Sequence, residues 1–140
     1  MIWPSFVHHP NVYPALEVLH IVGIAVLVGN LVLFELRVWG FGPALPVGPL
    51  ARLALTASLG GFGLAALTGG LMFATQADEL LANRAFQLKI ALLALAGSNA
   101  ALFHLRGGLH KLDRVARLQA VLSLGVWLGV IICGRWIAYV

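Results

Sequence analysis

Four long apolar runs, separated by short polar segments, make up most of the chain. They lie at about residues 13–38, 51–75, 86–105 and 118–139. A hydrocarbon core about 30 Å thick is crossed by a helix of roughly 20 apolar residues, so each run is long enough to span a membrane. The pattern predicts an all-α integral membrane four-helix bundle, with residues 1–140 forming a single transmembrane domain.

Composition strengthens this prediction. Hydrophobic residues make up 61% of the chain and charged residues 10%, and the mean hydropathy is +0.96, outside the usual range of soluble domains. We therefore expect a multi-pass protein of the bacterial inner (cytoplasmic) membrane, with the lipid bilayer as its main partner. Cys133 is the single cysteine, which excludes an intrachain disulfide. Basic residues stand at helix ends instead of in an aromatic-rich patch, so no nucleic acid is expected.

Basic residues are divided unevenly between the two sides of the predicted bundle. The side that carries both termini holds only Arg84, Lys89 and Arg135. The positive-inside rule then predicts that both termini face outward. The first and third connections hold the other six basic residues, Arg37, Arg52, Arg106, Lys111, Arg114 and Arg117.

The two halves of the chain resemble each other at an offset of 69 residues, which places Asn30 on Asn99. NLVLFELR at residues 30–37 then matches NAALFHLR at residues 99–106. Residues 20–37 share seven identities with residues 89–106, and residues 51–60 share five with residues 120–129. One explanation is a duplicated helical hairpin, whose copies are related by a pseudo-two-fold axis along the membrane normal. The other is the shared composition of Leu/Ala-rich membrane helices.

Ionisable residues inside the apolar runs mark functional candidates, because an unpaired charge is costly in a bilayer. The offset makes His20 equivalent to Lys89, and Arg135 lies at a similar outer depth. Such a set favours haem b, with His20 as axial ligand, Lys89 as second axial ligand or propionate partner, and Arg135 as propionate partner. Gly23, one helical turn from His20, would make room for the macrocycle.

Each of these residues also has a structural interpretation. His20 could make a hydrogen bond within the membrane, and Gly23 could serve close helix packing. Lys89 and Arg135 could extend to the outer interface. In the inner half, the equivalent residues Glu35 and His104 could form a buried pair or could anchor the helix ends at the interface.

Copper is the alternative metal. His8 and His9 precede Pro10 in the outer N-terminal segment, and together with His20 or Met72 they offer imidazole and thioether ligands that suit copper.

Several motifs resemble a family of small bacterial four-helix integral membrane proteins whose function is not settled. They are LEVLHIVGIAVLVGN at residues 16–30, ELR at 35–37, NRAFQLKIALLALAGSNAALFH at 83–104 and WLGVIICGRWIAYV at 127–140. The resemblance covers nearly the whole chain and implies the fold.

More distantly, the chain resembles the haem-binding protoporphyrinogen oxidase family. That family has a functional His early in its first helix and a Lys at the start of its third, which fall on His20 and Lys89. The resemblance implies a haem at His20. The chain also resembles the membrane domain of copper-resistance proteins, which share an early His in the first helix.

We therefore expect a haem b-binding membrane protein that transfers electrons or serves as a redox subunit at the outer leaflet. It could be a membrane haem oxidoreductase. It could also be an electron-transfer subunit that works with a redox partner or within a larger membrane complex. The alternatives are a copper-binding or copper-transport protein and a non-catalytic accessory subunit of a membrane complex.

Overall fold

The computed structural model describes residues 11–139, apart from the side chain of residue 109. Four of its helices are long and apolar enough to cross a membrane, which confirms the predicted all-α membrane bundle. A 3₁₀ turn at Ile137–Tyr139 follows the last helix. The helices in chain order are α1 (Val12–Val38), α2 (Val47–Thr75), α3 (Ala77–Leu81), α4 (Arg84–Leu105), α5 (Gly108–Lys111) and α6 (Arg114–Trp136).

Two of the long helices begin four residues earlier than the apolar pattern predicts. Helix α2 starts directly after Pro46, whose extended backbone (φ −61°, ψ 131°) marks the boundary. Helix α6 starts after Asp113, whose carboxylate accepts the Ala116 N–H at 2.9 Å as an N-cap. The added turn of α2, residues 47–50, contains Gly48 and Pro49, and the added turn of α6 carries Arg114 and Arg117. Hydropathy thus predicts the apolar length of a span, which is shorter than the helix itself.

A Schellman motif ends helix α1. The Phe41 N–H donates to the Leu36 carbonyl at 3.0 Å, and the Gly40 N–H donates to the Arg37 carbonyl, also at 3.0 Å. Gly40 has φ 103°, a conformation that favours glycine. These bonds satisfy the last carbonyls of α1 and turn the chain toward α2.

The connection between α2 and α4 contains the short helix α3. Asn83 caps α4, accepting the Phe86 N–H at 3.2 Å. Its side-chain amide also donates to the Ile137 carbonyl at 2.9 Å. Asn83 therefore fixes the start of α4 to the end of α6.

The first hairpin, α1 with α2, is held by a very close helix crossing. A Cβ built on Gly61 would lie 2.6 Å from the Leu27 nitrogen, and one on Gly23 would lie 2.7 Å from the Ala65 nitrogen. The Ser58 hydroxyl donates to the Leu27 carbonyl at 3.3 Å near the same crossing. Backbone contact of this kind requires small residues, which bring helices together in a lipid environment.

The two hairpins meet at the end of the bundle opposite the termini, which the charge pattern predicts to be the inner end. The rings of Phe34 and Phe103 pack edge to face there, with centroids 5.9 Å apart. These residues are equivalent under the 69-residue offset, and only residues close to a two-fold axis contact their own counterparts. The contact supports duplicated hairpins. The buried cluster around it comprises Phe34, Val38, Ala51, Ala54, Phe103, Ala116 and Ala120.

Candidate functional site

His20 lies half-buried on α1 with its ring against α2. Its Nδ1 lies 2.8 Å from the Ala65 carbonyl oxygen and 3.0 Å from the Thr68 hydroxyl. A carbonyl can only accept, so Nδ1 carries the hydrogen and donates it. In the neutral ring, the lone pair then resides on Nε2. The intramembrane hydrogen bond weighed from sequence is thus present, and its partners lie on α2.

Two α2 residues, Thr68 and Gly69, support the imidazole, and neither was predicted from the sequence. The Thr68 hydroxyl donates to the Leu64 carbonyl at 2.8 Å, which fixes its lone pairs for the His20 N–H. A Cβ built on Gly69 would lie 3.1 Å from His20 Cε1, so the missing side chain makes room for the ring. The sequence alone does not identify these residues, because they face His20 only when α1 and α2 are known to pack together.

Lys89 occupies the position on the second hairpin that corresponds to His20. A Cβ built on Gly134 would lie 3.4 Å from Lys89 Nζ, and Gly134 is equivalent to Ala65 under the 69-residue offset. Each side chain therefore packs on the matching position of its own partner helix. His20 and Lys89 thus occupy equivalent positions on the two hairpins.

Arg135 and Gly23 have other contacts. Arg135 is exposed on α6, donates to the Tyr139 hydroxyl at 3.0 Å and lies 5.2 Å from the Tyr139 ring centroid. That placement agrees with an interfacial anchor. The space beside Gly23 is filled by the backbone of α2, including Gly61 O at 2.8 Å from a built Cβ. Gly23 therefore serves close helix packing and leaves no room for a macrocycle at its own face.

Glycines in the LGGFGLAALTGG segment, residues 59–70, are not all packing residues. Gly61 makes the close helix crossing and Gly69 accommodates His20, whereas a Cβ on Gly60, Gly63 or Gly70 would meet nothing within 4 Å. Close helix packing thus accounts for Gly61, whereas Gly69 makes room for the ring of His20.

A second polar site lies in the inner half between the hairpins. It is a cavity of about 60 Å³, which we call the inner cavity. Glu35 and His104 both line it, but no ion pair joins them among residues 11–139, where Arg106–Asp113 is the sole salt bridge. The inner cavity is lined by Leu31, Phe34, Glu35, Val38, Leu55, Asn99, Ala100, Phe103, His104, Gln119, Ala120 and Ser123.

The inner loop carries one well-defined charge pair. Arg106 contacts both carboxylate oxygens of Asp113, at 2.9 and 3.4 Å. These bonds and the Ala116 N–H lower the pKa of Asp113 to about 2. The pair closes the α4–α6 connection and leaves Asp113 ionised at neutral pH.

The copper candidates His8 and His9 lie outside the described residues, so their arrangement stays a prediction. Within residues 11–139, no group of three or more His, Cys, Asp or Glu side chains is placed to hold a metal ion.

Comparison with protein families, with curated proteins and with solved structures finds no match to this chain. The fold itself defines the class: an all-helical protein with four spans, suited to a lipid bilayer. The resemblances seen in its motifs stay predictions.

Proposed function

We propose that this protein binds haem b in the outer half of the membrane and transfers electrons there, with His20 as an axial ligand. The observation that carries the proposal is the hydrogen bond from His20 Nδ1 to the Ala65 carbonyl at 2.8 Å. Histidines that ligate metals almost always donate their other ring N–H to such a partner, which sets the tautomer and the ring orientation.

The residues predicted to bind haem b fit it only in part. His20 offers an Nε2 lone pair that no described residue takes up by hydrogen bonding. Lys89 stands at the equivalent position of the other hairpin, where it would serve as a second ligand or bind a propionate. The face of Gly23 does not fit the macrocycle, because α2 covers it. Arg135, held by Tyr139, would bind a propionate only after leaving that contact.

When bound, haem supplies a centre that accepts and releases one electron at a time. The chain's own residues position the imidazole and surround the site with apolar side chains. Ala65 and Thr68 hold the imidazole in one tautomer and orientation. The α1–α2 crossing at Gly61 fixes the distance between His20 and these partners. The surrounding apolar helices keep water away from the site.

An absorption spectrum of the detergent-purified full chain, produced with ample haem, tests the proposal. We expect a Soret band and a haem-to-protein ratio near one in the wild type. His20→Ala should lose the band. His104→Ala, which removes a histidine in the inner half, should keep it. A colourless wild type, or equal haem content in wild type and His20→Ala, would contradict the proposal.

Lys89→Leu separates the two roles of the lysine, because leucine has no atom that can bind iron. If Lys89 is a ligand, the spectrum should change to that of a five-coordinate haem. If it binds a propionate, the band should persist while the haem is lost more readily on dilution. A spectrum and haem retention identical to those of the wild type would exclude Lys89 from the site.

A further inference from the structure

Glu35 is a buried acid inside a membrane span that has no basic partner in the described part of the chain. Its side chain is 8% exposed and lines the inner cavity, where Ser123 of α6 lies beside its carboxyl group. The nearest basic residue along the helix, Arg37, donates through Nε to the Leu45 carbonyl at 2.8 Å. An acid at this depth is costly unless something compensates its charge.

A second polar atom on the cavity wall lacks a partner among the described residues. Gln119 Oε1 is inaccessible and has no hydrogen-bond partner. The Gln119 backbone carbonyl accepts the Asn99 side-chain amide at 2.9 Å, which fixes α4 and α6 to each other beside the cavity. A buried oxygen acceptor without a hydrogen-bond donor can be satisfied by a bound cation.

His104 is the other titratable group on the cavity wall, contributed by α4, and α2 contributes the apolar Leu55. The His104 ring packs edge-on against Phe103, with centroids 5.2 Å apart, and its side chain is exposed. It makes no ion pair with Glu35 within the described residues. Charge compensation for Glu35 therefore does not come from this imidazole.

The cavity's size limits the ligand. Its volume of about 60 Å³ has room for a few water molecules, since one water needs about 10–15 Å³ of such space. A small ion with part of its water fits this space. Carboxylate, amide and hydroxyl oxygens suit hard cations, and a single carboxylate balances a single positive charge.

We infer that the inner cavity binds an alkali metal cation, with the Glu35 carboxylate, Gln119 Oε1 and the Ser123 hydroxyl as its oxygen ligands. These ligands come from α1 and α6, so the ion joins the two hairpins close to the Phe34–Phe103 contact. The inference is independent of haem, because the site lies in the other half of the bundle.

Thermal unfolding of the detergent-purified full chain tests this site. Choline chloride is replaced stepwise by NaCl or KCl at constant ionic strength and pH. A ligand that binds only the folded state raises Tm in a saturable way. We expect a rise of several degrees with one of the two cations in the wild type, and no rise in Glu35→Gln. Glu17→Gln, which removes an exposed acid from the same helix, should respond like the wild type.

Ser123→Ala and Gln119→Leu provide a second test if Glu35→Gln does not fold. Each should increase the cation concentration needed for half of the Tm rise several-fold. Equal Tm values in all three chlorides would overturn the inference, as would equal cation responses in wild type and Glu35→Gln. A Tm that varies with pH but not with the cation would also overturn it, because Glu35 would then bind only a proton.

Discussion

The α1–α2 crossing gives a sharp test of the fold, because two adjacent glycines of α2 have different surroundings. A Cβ on Gly61 would lie 2.6 Å from the Leu27 nitrogen and 2.7 Å from the Gly23 carbonyl oxygen, which are both backbone atoms. A Cβ on Gly60 would meet nothing within 4 Å. Gly61→Ala must therefore push the helices apart, whereas Gly60→Ala adds a methyl group to open space.

The magnitude follows from comparing the two variants. Both gain the same helix propensity, about 1 kcal/mol on replacing Gly by Ala. Forcing an extra methyl group into a packed interface costs typically about 1–3 kcal/mol. Gly61→Ala should therefore be about 1–3 kcal/mol less stable than Gly60→Ala. At about 2–4 °C per kcal/mol for a chain of this size, the difference in Tm is several degrees.

Thermal unfolding in detergent, followed by circular dichroism, measures this difference. The haem spectrum gives a second readout, because a wider crossing moves Ala65 away from His20. Equal Tm values for Gly60→Ala and Gly61→Ala would refute the close crossing and with it the placement of His20 against α2.

Three further predictions follow from single contacts. Asn83→Ala should lower stability by at least about 1 kcal/mol through loss of the α4 cap and of the bond to the Ile137 carbonyl, measured as Tm against the exposed control Asp78→Ala. Gly69→Ala should displace the His20 ring and alter the haem spectrum, whereas Gly70→Ala should leave it unchanged. The pKa of Asp113, about 2 when folded, lies below its unfolded value of about 3.9. Its stabilisation is therefore complete above about pH 5 and is lost as the pH falls toward 2, so the Tm advantage of the wild type over Asp113→Asn should shrink across that range. A constant advantage would contradict the Arg106–Asp113 pairing.

Much of the fold could be predicted from sequence, because membrane spans have a strong signal. Apolar length predicted the four spans. The repeat placed His20 and Lys89 at equivalent positions of the two hairpins, and their side chains pack near the equivalent residues Ala65 and Gly134. The early starts of α2 and α6 were missed, because the first turn of α2 contains Gly48 and Pro49 and that of α6 contains two arginines.

The side-chain surroundings of the site could not be predicted in the same way. Gly23 fits a cofactor space or a helix crossing equally well until α2 is known to cover it. Arg135 lies at the predicted depth of His20 but contacts Tyr139, because the direction of its side chain depends on its position around the helix axis. Gln119 and Ser123 carry no charge to mark them, and their importance arises only from facing Glu35 across the hairpin interface.

The contact between Phe34 and Phe103 has a consequence for how the two halves of the chain can differ. Two separate identical hairpins meeting at this point would have to carry the same residue on both sides of the axis. They could place two acids or two imidazoles beside the contact, but never one of each. Joining the hairpins in one chain removes that restriction, and the residues that follow the two phenylalanines are Glu35 and His104. Because both hairpins belong to one chain, the cavity of this nearly symmetric bundle can carry an acid on one side only.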